Sequence, residues 1–249
     1  MATPAGSSVA VVTGAGGGLG AVTAAALGDL GLAVACVDID QVAAERTATE
    51  LSDHGVASAA YGVDITSESA AQSLVEAVHA DLGQVSHLVN IAGILRRTHL
   101  ADTDAASWRQ VMDVNVTAPF LLTQAFAGDL RAAEYGRVIN CASFAGTRGY
   151  EYPAYAASKA ALINLTSSLL FDFWGTTVTV NAVAPGAMVT PMLDRPAAER
   201  MAAKTPTGRI LDPEDVAAVI GFLAGRSSRG VNGTTIVIDG GASLLFSYR

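Results

Sequence analysis

Three side chains have the types and spacing to move a proton. Tyr155 and Lys159 lie four residues apart in a stretch that reads as helix, so they share one face. A free tyrosine titrates near a pKa of about 10, too high for easy proton exchange at neutral pH. A lysine ammonium beside it favours the phenolate. Such a pair can take a proton from an alcohol or give one to a ketone. Ser143 lies twelve residues before Tyr155, where residues 137–141 read as a strand running into a loop. A hydroxyl there can hold a reacting oxygen by a hydrogen bond. Each residue alone has a duller account: a tyrosine packed on a lysine stem, or a loop serine acting as a cap.

The surrounding pattern supplies the elements that must position them. An apolar run at 9–12 enters the turn Thr13-Gly14-Ala15-Gly16-Gly17-Gly18-Leu19-Gly20, and a helical pattern follows over 21–30. Gly31 stops it, and 32–37 is apolar again. Continuous rather than alternating apolar runs indicate strands buried on both faces. Further strands are expected at 57–63, 87–92, 137–141, 178–184 and 234–239, and helices at 41–53, 67–82, 104–132, 154–173 and 213–224. Strands alternating with helices predict an α/β fold: a doubly wound parallel sheet with helices on both faces, in one domain over 1–249. The least regular stretch, about 186–207, holds Pro191, Pro196 and Pro206 and follows a strand. Ligands bind beyond the carboxyl ends of such strands, so this stretch is expected to be a flap over the site.

The glycine turn points to a dinucleotide. Between a buried strand and a helix, missing side chains let the backbone approach a pyrophosphate, and the helix start favours negative charge. Gly-x-Gly-x-x-Gly from Gly14 fails because Leu19 occupies its last position; Thr-Gly-x-x-x-Gly-x-Gly fits, through Gly14, Gly18 and Gly20. No Walker lysine is present, which disfavours a nucleotide triphosphatase. The next strand ends in Asp38, whose carboxylate can accept the adenosine ribose hydroxyls and repel a 2′-phosphate. It argues for NAD over NADP, unless Asp38, like Asp40, merely caps the following helix.

Composition narrows the field further. The 249 residues are 51% hydrophobic and 15% charged, enough for a core without metal or disulfide. A net charge of −8 with no basic stripe argues against nucleic acid. Cys36 and Cys141 sit in apolar runs and read as free buried thiols. With no basic-then-apolar segment at the start, the expected setting is cytoplasmic. No stretch reads as a membrane span, since Gly28, Asp29 and Gly31 break the one at 21–37. His54, His79, His87 and His99 are scattered without metal-ligand spacing, so no metal is expected. Neither Ser143 nor Ser158 sits in the Gly-x-Ser-x-Gly elbow of a serine hydrolase.

Taken in order along the chain, these motifs resemble the short-chain dehydrogenase/reductase family. The resemblance runs from Thr13 to Gly241 through the glycine turn, Asp64-Ile65, Asn90-Ile91-Ala92-Gly93, Asn115, Ser143, Tyr155 to Lys159, Asn181, Pro185-Gly186, Thr190 and Asp239-Gly240-Gly241. It implies a seven-stranded sheet in the order 3-2-1-4-5-6-7. It also implies Tyr155 as general acid/base, Lys159 as its pKa-lowering partner and ribose ligand, and Ser143 as holder of the substrate oxygen. Asn115 would hold a water linking Lys159 to solvent. Gly14, Gly17, Gly18, Leu19, Gly20 and Asp38 would bind the cofactor. Asp64 and Ile65 would flank its adenine, Asn90 and Gly93 would lie along it, and Pro185, Gly186, Met188 and Thr190 would meet its nicotinamide end. The family often has Asn where this chain has Ile91, which implies a packing change. Homotetrameric or homodimeric assembly is the family's habit, and the helix whose apolar residues include Leu162, Leu165, Leu169 and Phe173, closed by Trp174, is expected to be core or interface.

Three functions compete. The first is NAD-dependent oxidation of a secondary alcohol or reduction of a ketone. The second is reduction of a 3-oxoacyl thioester, whose NADPH preference Asp38 opposes. The third is a non-catalytic dinucleotide-binding protein on the same fold. Arg96, Arg97, Arg148 or His99 could meet an anionic substrate or stay as loop residues, and Phe144, Tyr150 and Tyr152 could line an apolar pocket.

Overall fold

Seven of the apolar runs form strands in the computed structural model, which describes residues 8–189 and 195–245. They are β1 (Val9–Thr13), β2 (Ala33–Asp38), β3 (Ser58–Gly62), β4 (Val85–Asn90), β5 (Arg137–Cys141), β6 (Thr179–Pro185) and β7 (Thr235–Ile238). Every pairing is parallel, in the order β3-β2-β1-β4-β5-β6-β7. The helices are α1 (Gly18–Asp29), α2 (Gln41–Asp53), α3 (Glu68–Asp81), α4 (Ala105–Met112), α5 (Ala118–Ala125), α6 (Ala127–Ala132), α7 (Pro153–Ser168), α8 (Arg195–Ala202), α9 (Pro213–Ala224) and α10 (Ala242–Leu245). The expected Rossmann-type α/β architecture is therefore present. No helix among the described residues is long and apolar enough to cross a membrane.

Side chains alternate across a strand, so β1 feeds two cores. Val9 and Val11 join Leu74 and Val78 from α3, Leu122 from α5 and Phe126 just past it. Ala10 and Val12 join Leu19, Leu27, Ile220 and Leu223 from α1 and α9. Fully burying each such side chain contributes about 1.5–3 kcal/mol. Strand order reverses between β1 and β4, leaving a crevice beyond their carboxyl ends. Thr13 bridges that crevice at its base: its Oγ1 accepts from the Ile91 and Ala92 N–H groups, each at 3.1 Å.

Several boundaries differ from the pattern reading. The single helix expected over 104–132 is divided: α4 runs into a π-helical turn at Asp113–Thr117, then α5 and α6. The helix expected over 154–173 ends at Ser168, although Leu169 and Phe173 remain buried. Trp174 does not join that core; it is 84% exposed. The stretch taken as an irregular flap contains α8, and a bridge between Met188 and Leu211 anchors its start. Residues 190–194 lie outside the described residues. Both cysteines are buried and free, in strands separated by β1 and β4.

His87 shows how the sheet's lower end is built. Its Nε2 faces the Ala224 carbonyl at 3.0 Å, and its Nδ1 lies 2.6 Å from the Ser86 hydroxyl. The ring satisfies both contacts when neutral, with Nε2–H donating and Nδ1 accepting. Burial lowers its pKa from the ordinary 6.5 to about 4, aided by the Arg137 charge and opposed by the Ala224 contact. Below the unfolded pKa the unfolded chain binds the proton more readily, so stability is lost as pH falls from 6.5 toward 4. The loss from this one residue should reach roughly 2–3 kcal/mol. Urea unfolding at pH 7 and pH 4.5 should show a smaller drop for His87→Gln than for the wild type; equal drops would refute the assignment.

Candidate active site

The glycine turn leaves β1 with no room for side chains where it meets β4. A Cβ on Gly14, whose φ is +71°, would sit 3.0 Å from the Ala92 nitrogen. One on Gly20 would lie within bonding contact of the Gly14 carbonyl oxygen. Around Gly17 and Gly18, by contrast, a Cβ would meet nothing within 4 Å, so their backbone faces open space at the start of α1. Leu19 turns its side chain into the core, leaving only its backbone at the turn. Gly16, which the pattern reading passed over, donates its N–H to Asp38 Oδ2 at 2.9 Å. Asp38 also accepts from Asp40 N–H at 3.1 Å, while Asp40 itself caps α2 through Ala43 N–H. Of the two acids, it is Asp40 that caps α2.

A cavity of about 270 Å³ extends from this turn across the crevice, with Asp38, Asp64, Ile65 and Gly93 in its lining. Val37, Ile39, Val63, Ile94 and Val114 supply apolar walls. Asp64 is held by Thr66, whose N–H and hydroxyl donate to its Oδ1 at 3.1 and 2.7 Å. Asn90 closes β4. Its buried side chain points across the sheet, Nδ2 donating to Asn140 Oδ1 at 2.8 Å, and Asn140 passes the link to Thr166 of α7 at 3.0 Å. Open glycine backbone at a helix start, an acid at the end of β2 and an apolar slot beyond it fit a dinucleotide.

Asn115 sits in the π-helical turn, fully buried. Its Oδ1 accepts from Ile94 N–H at 2.8 Å, and its Nδ2 donates to the Ile94 carbonyl at 3.0 Å and to Ser158 Oγ at 2.9 Å. Ser158 in turn donates to the Tyr155 carbonyl at 2.8 Å. One amide therefore joins the loop after β4 to α7. Gly93 packs between: a Cβ there would lie 3.1 Å from Asn115 Oδ1 and 3.2 Å from Lys159 Nζ.

Tyr155 and Lys159 project from the first turns of α7 toward the end of β5. Lys159 is 3% exposed, and its Nζ donates to the Cys141 carbonyl at 2.7 Å. Burial lowers the ammonium's pKa. Nζ stands 5.8 Å from the centre of the Tyr155 ring. Burial pushes the Tyr155 phenol up to about 12, and the Ser143 hydroxyl opposes the rise. In this state the lysine Nζ is turned to the β5 carbonyl. Ser143 is buried just past β5 and accepts from Ala145 N–H at 3.2 Å. Gly146 lets this short turn abut α7, since a Cβ there would lie only 2.5 Å from the Lys159 carbonyl carbon.

The remaining expected contacts separate. Gly186 presses on β7, where a Cβ would meet Asp239 Cβ at 2.7 Å, and Pro185 is buried at the end of β6. Met188 packs against the core beside Leu211. Thr190 lies outside the described residues. Arg96 donates to Gln110 at 2.9 Å and Arg148 to the Ser243 carbonyl at 2.6 Å, so both have partners within the chain. His99 is exposed and rests near Tyr152. Among the described residues no group of three His, Cys, Asp or Glu could hold a metal.

Comparison with known proteins agrees with this geometry. Residues 14–243 match the family model described as Enoyl-(Acyl carrier protein) reductase. The chain is 34% identical to 2-(S)-hydroxypropyl-CoM dehydrogenase 3 of Xanthobacter autotrophicus, covering 96% of this chain and 98% of that one. It is 37% identical to cis-4-hydroxycyclohexanecarboxylate dehydrogenase of Sinomonas cyclohexanicum, over 94% and 95% of the two chains. It is also 35% identical to a 3-oxoacyl-(acyl-carrier-protein) reductase of Pseudomonas aeruginosa, over 94% and 96%.

Gly146 offers a test of how the site is assembled. Gly146→Ala must push the Ser143 turn away from α7, and overpacking of this kind costs about 1–3 kcal/mol. Thermal unfolding should shift down accordingly while dinucleotide binding, read by calorimetry, is kept within a few-fold. Unchanged stability would show that the turn yields freely.

Proposed function

The chain belongs to the short-chain dehydrogenase/reductase family, and from that premise we propose that it is an NAD-dependent oxidoreductase acting on a secondary alcohol or the matching ketone. As a family member it is an oxidoreductase that works with a nicotinamide cofactor. The observation that carries the finer reading is the meeting of Ser143, Tyr155 and Lys159 at the end of β5, beside a cavity with Asp38 in its wall.

In this reading the glycine turn holds the pyrophosphate, Asp38 the adenosine ribose, and Asp64 and Ile65 the adenine edge. When bound, the nicotinamide supplies or accepts the hydride. Ser143 donates to the substrate oxygen and holds it for Tyr155. In ketone reduction Tyr155 gives its proton to the forming alkoxide; in alcohol oxidation it takes the hydroxyl proton. Burial favours the protonated phenol, the form reduction needs. Lys159 places a positive charge where it stabilises the phenolate left behind, and Asn115 keeps α7 and the loop after β4 in register for that exchange. The Asp38 carboxylate disfavours a 2′-phosphate by charge repulsion.

A second reading, reduction of a 3-oxoacyl thioester, is favoured by the relative named for that reaction. An acetoacetyl thioester offered with NADH separates the two. Exposed Phe120, Phe171 and Trp174 also suit assembly with further copies, a homotetramer being the form proposed.

Three outcomes are expected. Tyr155→Phe should lower kcat by at least about 100-fold on secondary alcohols while dinucleotide binding is kept; full turnover would overturn the proton-transfer role. Oxidation needs the phenolate and reduction the phenol, so kcat/KM for oxidation should rise with pH and that for reduction should fall. Asp38→Ala should narrow the preference for NAD over NADP by about tenfold or more, and a wild type that prefers NADP would overturn the role given to Asp38.

A further inference from the structure

The segment between Ser143 and Tyr155 carries three rings that no step of the chemistry uses. Tyr150 is their hub. Its ring centre lies 5.7 Å from Phe144, edge-on at 76°, and 5.6 Å from Tyr152, edge-on at 79°. It also lies 6.4 Å from Tyr155 itself. Phe144 follows Ser143 directly in the chain. From across the site His99, on the loop after β4, brings its ring to 5.5 Å from Tyr152.

Phe144, Tyr150 and Tyr152 are only half-buried, so part of each ring stays open beside the reacting groups. Mutual edge-to-face contacts hold them in fixed orientations, so little order is lost when a further ring joins. Of the charges on this segment, Arg148 is drawn off to the Ser243 carbonyl, and Glu151, between Tyr150 and Tyr152, is exposed. What remains between Ser143 and Tyr155 is an aromatic surface next to the position of the substrate oxygen.

We propose that Phe144, Tyr150 and Tyr152 form a shelf that takes an aromatic ring carried on the reacting carbon, and that Tyr150 determines this specificity. The proposal rests on the oxidoreductase reading above and deepens it. The substrate class is a benzylic-type secondary alcohol or aryl ketone, held with its oxygen at Ser143 and Tyr155 and its ring on Tyr150. Edge-to-face and offset stacking favour such a ring over a short alkyl chain.

The test compares 1-phenylethanol with 2-butanol as NAD-dependent substrates. The wild type should favour the aryl alcohol. Tyr150→Ala should lower kcat/KM on 1-phenylethanol by about tenfold or more and change that on 2-butanol by less than about threefold. Tyr150→Leu keeps apolar volume without a ring and should lose the same selectivity, which guards against a folding defect in the alanine variant. Equal loss on both alcohols would mean that Tyr150 merely supports Tyr155, and retained selectivity would mean that the ring lies elsewhere; either overturns the shelf. A second arm separates this from the reaction itself. In the Tyr155→Phe background with NADH, acetophenone should give saturation-transfer signals from its ring that vanish when Tyr150→Leu is added. If neither alcohol is turned over but this binding holds, the reaction reading fails and the shelf stands. If the signals persist in the double variant, the shelf fails whatever the turnover.

Discussion

One buried amide holds the two halves of the site together. Asn115 closes both backbone groups of Ile94 and reaches Ser158 on α7 with the same side chain. Leaving any of these groups unpaired in the interior costs about 1–3 kcal/mol. The helix widens into a π turn where it carries this amide, and such turns occur frequently at functional sites. Because Ile94 follows Gly93 and Ser158 precedes Lys159, the amide ties the wall of the crevice beyond β1 and β4 to α7. Neither the loop after β4 nor α7 has another link of this kind to the other among the hydrogen bonds described.

Around that tie, space is controlled by what is missing. Gly14 lets β1 approach the chain beyond β4, and Gly146 lets the Ser143 turn approach α7. Lys159 fills the resulting gap with a charge that has almost no water. Burial lowers its pKa, and the Cys141 carbonyl compensates the ammonium by accepting from it. A charge so poorly solvated interacts strongly with any negative charge that forms nearby, and the Tyr155 ring stands 5.8 Å from it.

Much of this was readable in one dimension. Buried parallel strands leave continuous apolar runs, and seven of them matched β1 to β7 within a few residues. Ser143, Tyr155 and Lys159 were singled out by type and local spacing, and the fold brings them together at the end of β5. Asp38 and Asp40 were ambiguous because both positions suit a cap, and only the fold shows one facing Gly16 and the other Ala43. The π turn was invisible, since one extra residue in a helical turn barely disturbs an apolar period. The partner of Asn90 was not readable either: a polar residue at the end of a strand can face the cleft or the next strand, and Asn140 is fifty positions away. Thr13 through its hydroxyl and Gly16 through its N–H meet partners that only the tertiary fold brings to them.

The far end of the chain bears on the substrate side as well. Asp239 accepts from Gly241 and Ser243 N–H groups at 2.8 and 2.7 Å, which fixes the turn after β7, and Ser243 then receives Arg148 from the segment between Ser143 and Tyr155. Two stretches nearly a hundred residues apart are thus built as one piece. Transplanting the 144–152 segment from a relative to change substrate preference would carry over the rings but sever their anchor. A working graft would have to exchange the turn at 239–243 at the same time, so the natural unit of divergence here is a pair of segments that must vary together.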